Sequence, residues 1–195
     1  PVVSTELHHI SAVIIELLEK ASHEFRTEEL GNVFLINNYY LIFSTLRDAE
    51  NCIIVDLFQQ KLNDCIGSFV DIVLSSKFPE LVETVRRSFV NLESSDEPVH
   101  IAVVDQELRA IALGFKEQHI PQMKMVGSSV VLTFDDLANG LAIFEQMAKR
   151  LVLYWVKFDQ LCRTFYRDRS PPQWMNEMPT GKQVVLNIRP LTENL

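Results

Sequence analysis

Apolar residues recur at steps of three and four along most of this chain, the period of an amphipathic helix. Residues 4 to about 25 carry Leu7, Ile10, Ile14, Leu17, Leu18 and Phe25 at that spacing, with Ser4 placed to cap the N-terminus. A second helix is predicted over 28–48, with Gly31 a weak point near its start. A third, over 51–74, gathers Ile54, Phe58, Leu62, Cys65, Phe69 and Val73 on one face. Pro79 suits the first turn of a fourth, with Leu81, Val82, Val85, Phe89 and Leu92 turned inward. The acidic stretch 93–98 reads as a loop. From Ile101 the steps to Val104, Leu108, Ile111 and Phe115 are 3, 4, 3 and 4, and Pro121 is expected to kink or restart the chain. Val130–Phe134 could pass for a short strand, yet no second strand is present to pair with it, so 121–134 reads as helix. Asn139-Gly140 is a turn signal. After it, Leu141, Phe144, Ala148, Leu151, Trp155, Phe158, Cys162 and Phe165 keep the period without a miss. Arg167-Asp-Arg-Ser-Pro-Pro172 ends that helix, and the cluster Val184, Val185, Leu186 and Ile188 predicts a short helix docking back.

The expected fold is therefore all-α: elongated antiparallel helical bundles, one over 1–92 and a second over 98–195, or one continuous domain cut from a longer chain. Gly at 6 and Pro at 8 are few, which disfavours a turn-rich β architecture.

The block Val33–Leu46 breaks the simple pattern. Ten of its fourteen residues are apolar, yet Asn37 and Asn38 sit together in its middle. Unpaired amides in a core cost about 1–3 kcal/mol each. On a helix Asn37, Asn38, Ser44 and Thr45 share one side, and Phe34 and Leu41 fall on that same side. Phe34, Asn37, Asn38 and Leu41 are thus candidate partner-binding residues; solvated or helix-capping amides are the alternative.

Charge and chemistry narrow the function. The net charge of −8 disfavours nucleic acid and anionic membrane as direct partners. No apolar run reaches the 18 or so residues that span a bilayer, and no signal peptide opens the chain. Three widely spaced cysteines and no Asn-x-Ser/Thr acceptor fit a cytosolic protein with reduced, packed thiols. His8 and His9 diverge by about 100° on a helix and cannot share an ion. The five histidines are expected at the surface or at helix ends. Gly181-Lys182 lacks upstream glycines and reads as a turn. No nucleophile, metal or cofactor motif is present, so a non-enzymatic interaction protein is expected. The Phe144–Phe165 stripe reads as internal core.

Val33-Phe-Leu-Ile-Asn-Asn-Tyr39 resembles the motif that opens the C-terminal region of the vacuolar protein sorting-associated protein 52 family, a subunit of the Golgi-associated retrograde protein tethering complex. Phe58-Gln-Gln-Lys-Leu-Asn63 is similar to the family's Phe-Gln-Gln-x-Leu-Asn, and Leu113-Gly-Phe115 to its Arg-Gly-Phe. Thr133-Phe134 with Asn139-Gly140 resembles a Phe-x-Asn-Phe-x-Asn-Gly turn, and Leu186-Asn-Ile188 a Leu-Ile-Asn-Ile stretch. Tyr40 stands where the family has an acidic residue. The resemblance covers about 33 to 190 and implies a rod of helical bundles without catalysis or cofactor. It implies a role in retrograde transport from endosomes to the trans-Golgi network, at the membrane periphery. The partners it implies are other tethering-complex subunits, a Rab-type small GTPase and SNARE proteins. A subunit of an exocyst or conserved oligomeric Golgi tether, or a helical regulatory domain for GTPases, is the competing reading.

Overall fold

Seven α-helices and one short 3-10 helix make up the secondary structure in the computed structural model, which describes residues 2–47, 53–91, 101–168 and 170–193. No strand occurs among the described residues. The helices are α1 (Val2–Ser22), α2 (Glu28–Leu46), α3 (Ile53–Lys77), α4 (Pro79–Asn91), α5 (Ile101–Thr133), α6 (Leu137–Phe165) and α7 (Gly181–Glu193). The all-α expectation holds. The expected 93–98 loop and Cys52 lie outside the described residues.

The chain divides into two compact units, each discontinuous in sequence. The first comprises Pro1–Val73 and Leu132–Ile143. Its centre is α2, whose Ile36 and Tyr39 are fully buried. Thr27, in extended backbone, caps this helix: its Oγ1 accepts from the Leu30 N–H at 3.3 Å. Ile54, Phe58, Leu62, Phe69 and Val73 of α3 are buried as their spacing predicts, but Ile66 is buried where Cys65 was expected, and Cys65 is only half-buried. Lys61 of α3 donates to Glu19 of α1 at 2.7 Å.

Helix α1 departs from expectation in two ways. It is already helical at Val2, so Ser4 lies inside it and is not its cap. The apolar stripe of the predicted amphipathic helix is largely outside: Leu7, Ile10 and Leu17 are 43%, 54% and 61% exposed. Ser11, Ile15 and Ser22 are buried instead. At the end of this face α1 closes on α2 at Gly31, where an added Cβ would stand 2.8 Å from the Ser22 carbonyl oxygen. Gly31 is a point of close helix approach, beyond being a helix-weakening residue.

The second unit comprises Leu74–Val131 and Phe144–Leu195. Phe144, Leu151, Trp155, Phe158 and Cys162 of α6 are all fully buried, the predicted core stripe. Trp155 stacks on Phe115 of α5, ring centroids 4.0 Å apart and planes 8° from parallel. Its indole N–H donates to the Pro179 carbonyl at 2.7 Å. Val184 and Ile188 of α7 are buried while Val185 and Leu186 are exposed, so one half of that cluster docks.

Three local expectations are corrected. Pro121 does not restart the chain as a new element; α5 runs through it for 33 residues. It sits on the exposed side, where water can satisfy the carbonyl that its missing N–H leaves free. Asn139-Gly140 is in the first turns of α6, and the reversal is at 134–136. There Asp136 caps the helix, its Oδ1 accepting from the Asn139 N–H at 2.7 Å. Gly181 opens α7 and is not in a turn. Thr180 Oγ1 accepts from the Gln183 N–H at 3.2 Å and Gln183 Oε1 from the Thr180 N–H at 2.7 Å, a reciprocal capping box.

Candidate functional site

The amides of α2 have work inside the first unit. The backbone N–H of Asp135 donates to Asn37 Oδ1 at 3.4 Å. One residue pair further, the Tyr40 hydroxyl donates to Asp136 Oδ1 at 3.3 Å. Together these two side chains hold the 134–136 reversal against α2, and Phe134 packs edge-on against Phe69 with ring centroids 5.3 Å apart. Asn38 turns back on its own helix, donating to the Phe34 carbonyl at 2.8 Å. Phe34 is half-buried and packs on Phe25 at 5.2 Å. Leu41 is 64% exposed.

The four candidate residues therefore separate. Asn37 positions the reversal, Asn38 satisfies itself locally, Phe34 is partly packed, and Leu41 is free at the surface. Leu41 stands one turn beyond Asn37 on the same side of α2. The reversal that Asn37 and Tyr40 hold carries Leu132, 83% exposed, before it and Leu137, 60% exposed, after it. Leu41 on α2 and Leu132 and Leu137 on either side of the reversal are thus exposed on segments that Asn37 and Tyr40 tie together. Neither of the latter two stands out in the sequence: Leu132 lies within the strand-like run Val130–Phe134, and Leu137 just before the Asn139-Gly140 turn signal. Recognising Asp135-Asp136 as a reversal and cap would have exposed both.

Beneath this surface Tyr39 is completely buried beside Phe58, and its hydroxyl has no hydrogen-bond partner among the described residues. Burial, reinforced by Glu19 and Cys65, pushes its phenol above the ordinary tyrosine range. Such a group is an apolar filler that carries an unmet polar cost, not a proton donor.

The second unit holds a cleft of about 550 Å³ between α4 and α5. Ala110 and Gly114, one turn apart, leave the gap; Phe78 and Phe115 floor it, and Glu80 and Glu107 line it. Arg87, also at the cleft, is paired with Glu83 at 3.2 Å. The cleft is an open groove.

His119 is the histidine that the surface expectation misplaced: it is 2% exposed. Its Nδ1 lies 2.8 Å from the Phe115 carbonyl and its Nε2 3.2 Å from Asn187 Nδ2. The carbonyl can only accept, so Nδ1 carries the proton and Nε2 accepts from the amide. Stacked on Phe115 at 4.9 Å, the ring is a satisfied core group joining α5 to α7. Burial raises the Cys65 thiol to about 11 and the Cys162 thiol to about 12, so neither is a nucleophile at neutral pH. Among the described residues no group of three or more metal-binding side chains assembles, and no helix is long and apolar enough to cross a membrane.

Comparison with known proteins finds one kind of relative. The chain is 26% identical over 178 residues to the vacuolar protein sorting-associated protein 52 homologs of Rattus norvegicus, Mus musculus and Homo sapiens. The match covers 90% of this chain and 23% of each relative, so the chain spans about a quarter of the length of the curated relatives it matches. No family model matches the chain, and no solved structure does.

Proposed function

We propose that this chain is a protein-binding segment of a vesicle-tethering subunit of the vacuolar protein sorting-associated protein 52 type, without catalysis of its own. Its place is retrograde transport from endosomes to the trans-Golgi network, at the membrane periphery. The collinear 26% identity over 90% of the chain carries this reading. Support also comes from where the resembling residues fall. Asn37 and Tyr39 belong to the motif, and Asn37 frames the exposed leucines 41, 132 and 137. A surface of exposed leucines set in a fixed frame suits a docking partner better than bulk water. The partners are the companion tethering subunits, with a Rab-type GTPase or SNARE proteins as further ligands.

The test is a pull-down with the tagged chain against the three companion subunits of a Golgi-associated retrograde tethering complex, comparing wild type with Leu41→Asp and Leu137→Asp. Retention of the companions by wild type, and at least a tenfold loss in either variant, is the expected result. Because both sites are exposed, the unfolding free energy should stay within the change typical of surface substitutions, about 0.5 kcal/mol. Companion subunits absent from the wild-type pull-down would refute the proposal. Acceleration of nucleotide release from a Rab protein would replace it with a catalytic regulator.

A further inference from the structure

Helix α1 presents two faces that differ in kind. The inner one is lined by Ser11, Ile15 and Ser22, two of them hydroxyl-bearing, with Ser11 Oγ donating to the Leu7 carbonyl and Ser22 Oγ to the Glu19 carbonyl. The outer one carries an apolar stripe: Leu7, Ile10, Val13 and Leu17 are all exposed, with Ile14 half-buried between them and Glu6 and Lys20 along its edge. The greasier face of this helix is the one turned away from the unit's own core. Leu7, Ile10, Ile14 and Leu17 step by 3, 4 and 3, the spacing of a coiled-coil seam and not of a scattered surface.

The charges beside the seam identify what fits it. In heptad terms Leu7 and Ile14 take position a and Ile10 and Leu17 position d, which puts Glu6, Val13 and Lys20 at position g along one flank. The other flank, through Ser11, is closed by α2-side packing. Against a parallel copy, Glu6 and Lys20 would meet the closed flank and find no opposite charge. Against an antiparallel copy, Leu7 faces Leu17, Ile10 faces Ile14, and Val13 faces Val13 across the dyad. Glu6 of each chain then lies opposite Lys20 of the other, twice by symmetry. Glu6 is exposed, and the Lys20 side chain, now bonded to Glu16 at 2.6 Å, is 70% exposed and can reach both.

We propose that two copies of the chain associate antiparallel along the Leu7–Leu17 stripe of α1, with the two-fold axis beside Val13. The contact is isologous, so it closes at two copies and does not propagate. It is also short. The seam from residue 7 to 20 is about 20 Å long at 1.5 Å per residue, one short helix pair and less than the roughly 20–30 residues a side of a standard interface. A weak, concentration-dependent dimer with a dissociation constant on the order of 10–100 μM is expected. This inference is independent of the tethering role and uses a different helix face from the leucines around Asn37.

Sedimentation velocity on the 195-residue chain from 5 to 500 μM tests it. Wild type should shift from monomer to dimer across that range. Ile10→Lys and Leu17→Lys should each remain monomeric with unchanged helicity and melting temperature. Lys20→Glu should weaken association at least tenfold, and the charge-swapped pair Glu6→Lys with Lys20→Glu should recover most of it. A wild-type chain monomeric throughout overturns the proposal, as does a dimer insensitive to Ile10→Lys. A dimer lost on Lys20→Glu but not recovered by the swap overturns the antiparallel arrangement.

Discussion

Replacing three glycines with the same residue, alanine, should change stability with opposite signs. A glycine inside a helix costs about 1 kcal/mol relative to alanine, so Gly→Ala gains that amount wherever the added methyl finds room. At Gly67 in α3 and Gly114 in α5 a Cβ would meet nothing within 4 Å. Both substitutions should stabilise, by about 1 kcal/mol each. Gly31 is different. Its Cβ would stand 2.8 Å from the carbonyl oxygen of Ser22, 3.6 Å from the carbonyl carbon and 3.7 Å from the Ser22 Cβ. The obstructing atom is backbone at the end of α1, so no rotamer change relieves the overlap. Forcing helices apart in a packed core costs about 1–3 kcal/mol. Set against the propensity gain, the net is a loss of about 1 kcal/mol, roughly 2 kcal/mol below the other two variants. For a chain of this size that separates the melting midpoints by about 4–8 °C. Circular dichroism at 222 nm, by heating and by urea, reads all three variants against wild type. If Gly31→Ala raises the midpoint alongside Gly67→Ala, α1 does not approach α2 as described, and the inward placement of Ser11 and Ser22 falls with it.

Two further predictions concern the second unit. Burial holds the Cys162 thiol neutral up to about 12, whereas an unfolded thiol ionises near 8.5. Because the folded value is the higher one, its contribution is complete below about pH 8.5. It is lost as pH rises toward 12, at up to about 1.4 kcal/mol per pH unit. Urea titrations at pH 8, 9 and 10 should therefore show stability falling faster in wild type than in Cys162→Ala, and parallel slopes would refute this. Trp155→Phe keeps most of the stack on Phe115 but removes the donor to the Pro179 carbonyl, and should cost about 1–2 kcal/mol. Trp155→Ala should cost about 3–5 kcal/mol, and equal effects of the two changes would show that the hydrogen bond does all the holding.

Where one stripe of a helix is buried and the rest is wet, periodicity alone recovers the structure. Helix α6 is that case: Phe144 to Cys162 follow the period and are buried as predicted. Helix α2 carries apolar residues almost all round, so its period says little, and its polar residues had to be traced to their partners. Asn37 reaches residue 135, almost a hundred positions away, and no local pattern announces that bond. His119 is similar, since its burial depends on Asn187 of α7 meeting it across the unit. Pro121 and Asn139-Gly140 failed for the opposite reason. Local rules assigned breaks there, but a solvent-facing carbonyl tolerates a proline, and an aspartate cap three residues upstream lets Asn-Gly open a helix.

In helix α1 the period of the apolar residues is plain in the sequence, but the face it buries is not. Hydrophobic spacing identifies which residues share a face, but not which of two faces the rest of the chain covers. That choice is made by fit. Serines and a glycine allow two helices to approach to backbone contact, and a stripe of leucine and isoleucine would hold them apart. A helix with one close-packing small-residue face and one large apolar face therefore turns the small face to its permanent neighbour. The large face remains outward, where burying it gains about 25 cal/mol per Å² from whatever covers it. By the same reasoning the exposed leucines around Asn37 are unlike an isolated surface leucine. Asn37 and Tyr40 tie the reversal beside them to α2, and on the proposed function covering these leucines would be the gain of a docking partner.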